Sequence, residues 1–201
     1  MQGFSESAMR RSRRFYYPVR MAQVTGQKKI EAIKREIERS FASVPYPGDE
    51  NITRLDQDTP SGQPYHCDEC EEIALLLRNK KWQEWKNNPV ELIRPPSDQG
   101  IPALLTPEAF QYYLPLILLA SLTQYEKANL LPGNLITIFA PAKENLKNYQ
   151  TERIKLLTKD QLACVLTCLR FLSQEHGKDF PGFNLDGAIK LVAFELGRRA
   201  S

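Results

Sequence analysis

No apolar run in these 201 residues approaches the roughly 18 to 20 needed to span a bilayer. The longest, Leu114–Leu122 (LPLILLASL), is interrupted by a proline, so no transmembrane helix is predicted. An export signal is missing too. Ser12–Tyr17 (SRRFYY) superficially resembles a twin-arginine leader, but PVRMAQVTGQKK follows where an apolar segment should stand. The expectation is a soluble cytoplasmic protein with no membrane attachment. The sequence has no P-loop, G-x-S-x-G, H-E-x-x-H or dinucleotide fingerprint, which leaves the common nucleotide, hydrolase and protease readings without support. No low-complexity tract, fixed-period repeat or βαβ alternation is seen either, and strand signals are few.

The composition allows one globular domain with a proper core: 42% of residues are hydrophobic and 25% charged. Net charge is +3, but it is unevenly spread. Residues 1–40 hold ten Lys and Arg against four Asp and Glu, a net +6, leaving −3 for residues 41–201. Residues 1–24 are read as a basic, flexible amino-terminal arm and residues 25–201 as a single helical domain. Contact of Arg10, Arg11, Arg13 and Arg14 with nucleic acid is the weakest of the functional readings. Met21, where MAQVTGQKKIEAI opens the helical patterning, is a competing start site.

Apolar residues Ile30, Ile33, Ile37 and Phe41 recur at helical spacing and predict an amphipathic helix over Lys28–Ala42. Pro45, Pro47 and Gly48 end it. Residues 43–66 then form a long loop without clear periodicity, the kind that is usually functional or disordered. A second helix is expected from Asp68, whose carboxylate would cap it while Glu71 reaches back, with Ile73, Leu76 and Leu77 facing the core and Trp82 and Trp85 continuing that face. Thr106, Pro107 and Glu108 announce a third, nearly all-apolar helix, expected to kink or break at Pro115. Leu135–Phe139 (LITIF) reads equally as a short strand or a helical turn. Thr158 and Gln161 open a further helix with a capping box, and a last helix is expected over Asp186–Gly197. The fold class is therefore all-α or predominantly α, with about five to seven helices.

Four cysteines in a chain read as cytosolic argue against a disulfide framework and for buried thiols, metal ligands or catalysis. The segment Tyr65–Cys70 (YHCDEC) concentrates this chemistry. Cys67 and Cys70 have the spacing at which two thiolates chelate one zinc ion, with His66 as a further donor, and a closed site would draw on Cys164, Cys168 or His176. Cys164 and Cys168 also flank the apolar stripe Leu162, Val165, Leu169 and Leu172, where cysteine is ordinarily buried as a small hydrophobe. Alternatively Cys70, in the first turn of a helix, is a reactive thiol assisted by His66, although Asp68, Glu69, Glu71 and Glu72 oppose negative charge on sulfur. The plainest reading is that HCDEC starts a helix and packs its cysteines beneath the loop. Asp49, Glu50 and Asn51 would add oxygen ligands or acid/base carboxylates if that loop folds back.

The combination of VPYPGDENI, HCDEC followed by tryptophan, LTPEAFQYYLPLILLASL and LTKDQLACVLTCLRFL resembles a family of small uncharacterised bacterial proteins, classed only as a domain of unknown function. The likeness runs from Ile30 to Leu172. It implies a small, largely helical, cytoplasmic bacterial protein and no particular activity. The functional expectation is a non-catalytic protein-interaction domain whose distinctive surface is Asp49, Glu50, Asn51, His66, Cys67, Glu69 and Cys70. The alternative is a zinc-binding or thiol-dependent enzyme centred on HCDEC, with His66, Cys67 and Cys70 as the candidate metal ligands.

Overall fold

Ten α-helices form among the described residues: α1 (Tyr16–Phe41), α2 (Asp68–Leu77), α3 (Trp82–Trp85), α4 (Pro89–Ile93), α5 (Ile101–Leu104), α6 (Pro107–Thr123), α7 (Leu131–Phe139), α8 (Lys147–Leu156), α9 (Lys159–His176) and α10 (Leu185–Arg198). Seven of them are nine residues or longer, in keeping with the predicted class. The structure, a computed structural model, describes residues 16–54, 56–58, 64–93, 101–142 and 146–199, with backbone alone at 16–25, 56–58, 64 and 65. The basic residues Arg10, Arg11, Arg13 and Arg14 lie outside the described residues. Helix α1 begins at Tyr16, well before the expected Lys28 and inside the segment read as an arm.

Helix α6 is apolar on every side and is buried accordingly, from Ala109 and Phe110 through Leu122 with only Gln111 partly exposed. Such a helix has no solvent face, so neighbours must surround it. α1, α3, α4, α5, α7, α8 and α9 all pack on it. Its start follows the sequence signals: the Thr106 hydroxyl accepts from the Ala109 N–H at 3.1 Å, and Pro107 occupies the first turn. Pro115 does not break it; the helix runs through to Thr123. A buried helix held on all sides by packing tolerates the missing backbone donor.

The outer layer repeats the pattern. Ile33, Ile37 and Phe41 of α1 are buried, as the spacing predicts, and so are Leu162, Val165, Leu169 and Leu172 of α9. The Thr158 and Gln161 capping box is present in full. LITIF belongs to helix α7, not to a strand. At the last helix Asn184 accepts from the Gly187 N–H at 3.0 Å, which starts α10 at Leu185.

Two expectations are corrected here. α2 does not continue into the tryptophans: it ends at Leu77, Asn79 takes a left-handed conformation with φ 56°, and Trp82 opens the separate turn α3. The long loop at 43–66 also carries structure. It contains a 3₁₀ turn at Asp49–Asn51 and a bridge between Thr53 and Leu105. Two short antiparallel strands follow, β1 (Asp56–Asp58) and β2 (Pro64–His66), which align Asp56 with His66 and Gln57 with Tyr65. Such short strands carry no periodicity strong enough to read in isolation.

Arg153 of α8 is fully buried, and among the described residues it forms no ion pair with a carboxylate. Its Nη2 donates to the Ala103 carbonyl at 3.1 Å and also to the Leu105 carbonyl, and its guanidinium stacks 3.3 Å from the Tyr149 ring centroid and 5.3 Å from that of Phe110. Burial pulls its pKa down to about 10, so it stays protonated at neutral pH. Among the described residues, no helix is long and apolar enough to cross a membrane.

Trp82 tests the packing. Its side chain is fully buried and its indole Nε1 has no hydrogen-bond partner among the described residues. Trp82→Ala is expected to lower unfolding free energy by about 3 to 5 kcal/mol. Trp82→Phe, which removes the unpaired donor but only part of the volume, should lose less than half of that in urea denaturation.

Candidate functional site

Helix α2 is held at both ends by residues outside its regular hydrogen-bond ladder, and the sequence motifs supply them. At its amino end the cap is Cys67, not the expected Asp68. The Cys67 Sγ accepts from the Cys70 N–H at 3.2 Å, and Asp68 falls in the first turn, where its carboxylate suits the positive end of the helix dipole. Sulfur is a weak acceptor, and Ser, Thr, Asp or Asn would cap more strongly. Capping alone therefore does not explain why cysteine stands here.

Cys67 and Cys70 are joined by a disulfide, with Cα atoms 5.1 Å apart, inside the ordinary disulfide range. This corrects the expectation that the cysteines avoid disulfide formation. It also changes the zinc reading of His66, Cys67 and Cys70, because sulfurs bonded to each other are not thiolate ligands. His66 turns to Glu71, with Nε2 to Oε2 at 3.2 Å on the exposed side of α2. Among the described residues no group of three or more His, Cys, Asp and Glu is placed to hold a metal ion. The four sulfurs, all of them described, are not grouped as one four-cysteine cluster. Cys164 and Cys168 are buried thiols on α9. Cys164 donates to the Ser40 hydroxyl of α1 at 3.3 Å. Burial pushes the Cys164 thiol up to about 11 and Cys168 well above its ordinary value, so both stay protonated.

The loop before the motif does fold back, but Asp49 goes to the other end of α2. Asp49 Oδ1 accepts from the Asn79 N–H at 3.0 Å and from the Tyr46 hydroxyl, which itself accepts from Asn79 N–H at 3.0 Å. The Tyr113 hydroxyl, from α6, is shared between the Leu77 and Lys80 carbonyls at 2.9 Å each. The Leu77 carbonyl is among the groups a helix carboxyl end leaves without an intrahelical partner, and Asn79 and Lys80 belong to the turn beyond it. α2 has ten residues and is about 15 Å long, so Asp49 stands far from the sulfurs. Glu50 and Asn51 are exposed in the adjoining turn, where the Asn51 amide donates to the Pro47 carbonyl at 3.1 Å. Gly48 makes that turn with φ 90°, and a Cβ there would lie 2.6 Å from the Glu50 carboxylate. Of the predicted surface, then, His66, Cys67, Glu69 and Cys70 cluster at one end of α2, and Asp49, Glu50 and Asn51 belong to the other.

What the loop brings to the cysteines is Thr53. Its hydroxyl donates to the Cys70 carbonyl at 2.9 Å, and it is 5% exposed. The neighbouring Ile52 carbonyl accepts from Thr106 N–H at 3.0 Å, so the start of α2 is tied to the start of α6. Sequence reasoning passed over Thr53, Tyr46, Tyr113 and Arg153. Each sits alone in a segment whose pattern points elsewhere. Cys67 is 7% exposed and Cys70 0%, so Cys67 is the less deeply buried residue of the pair. A cleft of about 210 Å³ between α8 and α10 is a separate feature. Its Arg199 is used internally, donating to the Ile154 carbonyl at 2.6 Å.

The family described as "Family of unknown function (DUF6714)" matches residues 29–186. No curated protein and no solved structure matches the chain.

Asp49 gives a pH signature. The Tyr46 hydroxyl first, and then the Asn79 N–H, hold its carboxyl below its ordinary value of 3.8. A carboxylate with a lowered folded pKa contributes stability above its unfolded pKa, and that contribution is lost as pH falls through the folded value. Asp49→Ala should therefore lower the urea midpoint at pH 7, with the gap to wild type closing as pH drops below about 3.8. A gap that is constant with pH would mean the carboxylate charge is irrelevant.

Proposed function

This chain belongs to DUF6714, a family of unknown function, and we propose that its Cys67–Cys70 pair is a dithiol/disulfide couple that exchanges with a protein partner. The observation that carries this reading is a C-x-x-C disulfide seated across the first turn of a helix, with one sulfur as the helix cap. A helix amino end places N–H donors beside the sulfur that carries negative charge when the bond opens, which is the arrangement redox-active pairs use.

Two physical arguments favour chemistry over a structural staple. The bond closes a loop of only four residues, for which the chain-entropy relation gives about 2 kcal/mol, at the low end for disulfides. Cytoplasmic location, part of this proposal, would also make a permanent disulfide unusual, since cytosolic disulfides are mostly transient and catalytic or redox-sensing. The competing reading is the non-catalytic interaction domain with the bond as a fixed feature. Its supporting observation is the depth of the sulfurs, Cys70 being fully buried.

The exchange balances as follows. With the pair reduced, the Cys67 thiolate attacks a partner disulfide, forming a Cys67–partner bond and expelling the partner's other sulfur as a thiolate. Cys70, having lost its proton to solvent, then attacks Cys67 Sγ, closing the Cys67–Cys70 bond and releasing the partner's second thiolate. Two electrons pass to the partner; run in reverse, a partner's thiols attack the Cys67–Cys70 bond and return the pair to the reduced state.

Trapping discriminates the readings. Because Cys67 is the less deeply buried residue of the pair, Cys70→Ser should accumulate a mixed disulfide through Cys67 when offered a protein disulfide, and Cys67→Ser should accumulate little. Non-reducing peptide mapping reads both. Failure of Cys70→Ser to form an adduct, with both variants folded by circular dichroism, would leave the interaction-domain reading in place.

A further inference from the structure

We infer that the partner served by Cys67–Cys70 presents its cysteine in a basic segment, flanked by Lys or Arg. This rests on the reading of the pair as redox-active. Asp68, Glu69, Glu71 and Glu72 are all exposed and surround the disulfide in the first turn and a half of α2. Residues 64–77 contain no Lys or Arg. Arg78 is turned towards Asp49, 3.9 Å away at the opposite end of the helix. His66 lies 3.2 Å from Glu71, offsetting one carboxylate at most, and only when protonated. Ile101–Leu104 of α5, which packs beside α2, has no charged residue, and Arg54, next to Thr53 in the loop, is exposed and acts electrostatically on Tyr149 and Arg153.

These carboxylates work against the redox role if the attacking sulfur is negative and its surroundings are negative as well. An incoming thiolate must approach within a few ångströms of Cys67, through the field of four formal negative charges. Lysines beside the attacking sulfur reverse the sign of that interaction. The same field would slow exchange with glutathione, which is anionic, and so insulate the pair from the bulk thiol pool. The step is ordinary exchange: an external thiolate attacks the bond, a mixed disulfide forms with loss of one protein thiolate, and a second external thiol completes a two-electron reduction as its own disulfide leaves.

The test uses the oxidised full-length chain and two synthetic peptides, each with one cysteine flanked by lysines or by glutamates. Rates of reduction of Cys67–Cys70 are followed by mass spectrometry. Each is divided by the same peptide's rate against hydroxyethyl disulfide, which removes intrinsic thiol reactivity. At low ionic strength the lysine peptide should be faster by about tenfold, with the ratio falling towards one near 1 M salt. The variant Asp68→Asn/Glu69→Gln/Glu71→Gln/Glu72→Gln should show the collapsed ratio without added salt. Equal normalised rates for the two peptides on wild type at low salt would overturn the charge assignment while leaving the redox couple standing. If neither peptide opens the bond, the redox reading itself fails, and this inference with it.

Discussion

The burial of α6 on all sides is the constraint from which the other features follow. A helix made almost wholly of Leu, Ile, Phe, Tyr and Ala has no stable position except at the centre. Once it is there, its few polar atoms decide where other segments can lie. The Tyr113 hydroxyl fixes the carboxyl end of α2. Thr106 draws in the loop, its N–H donating to the Ile52 carbonyl and its hydroxyl to that of Asn51. The Tyr112 ring meets Tyr46 edge-on, with centroids 5.4 Å apart. The loop at 43–53 is held along α2 because α6 offers it partners at both ends.

This explains the motif YPGDENI as architecture. Tyr46 and Asp49 complete the hydrogen bonding of the turn at Asn79, Gly48 permits the bend that brings them there, and Thr53 closes onto the Cys70 carbonyl. The loop therefore acts as a clamp on α2. Asp49 of that loop stands away from the sulfurs, which have the helix's own first-turn groups beside them. Among the motif residues, the two cysteines are the ones whose identity this clamp does not require.

Much of the fold was legible because it rests on local rules. Ile33, Ile37 and Phe41 announce a buried stripe by spacing alone, and Thr106 and Thr158 announce helix starts by side-chain chemistry. What could not be read depended on contacts distant in sequence. Pro115 signals a break, yet the packing around α6 holds the helix through it. Asn79 ends α2 where the apolar pattern runs on to Trp82, since Asp49 and Tyr46, some thirty residues earlier, stabilise a left-handed residue there. The spacing of Cys67 and Cys70 marked the site correctly, but spacing is the same for a zinc chelate and for a disulfide. Their joining, and the sending of Asp49 to the opposite end of α2, are properties of the folded chain.

The central claim is that Cys67 and Cys70 interconvert between bonded and free states while Cys164 and Cys168 remain thiols. Native mass spectrometry with peptide mapping, on untagged protein equilibrated anaerobically across thiol redox buffers, tests it directly. The expected result is a reversible two-electron transition, a change of about 2 Da, confined to the peptide containing Cys67 and Cys70. Zinc bound at one ion per chain with both sulfurs as thiolates, or a Cys67–Cys70 pair that never changes state, would contradict it.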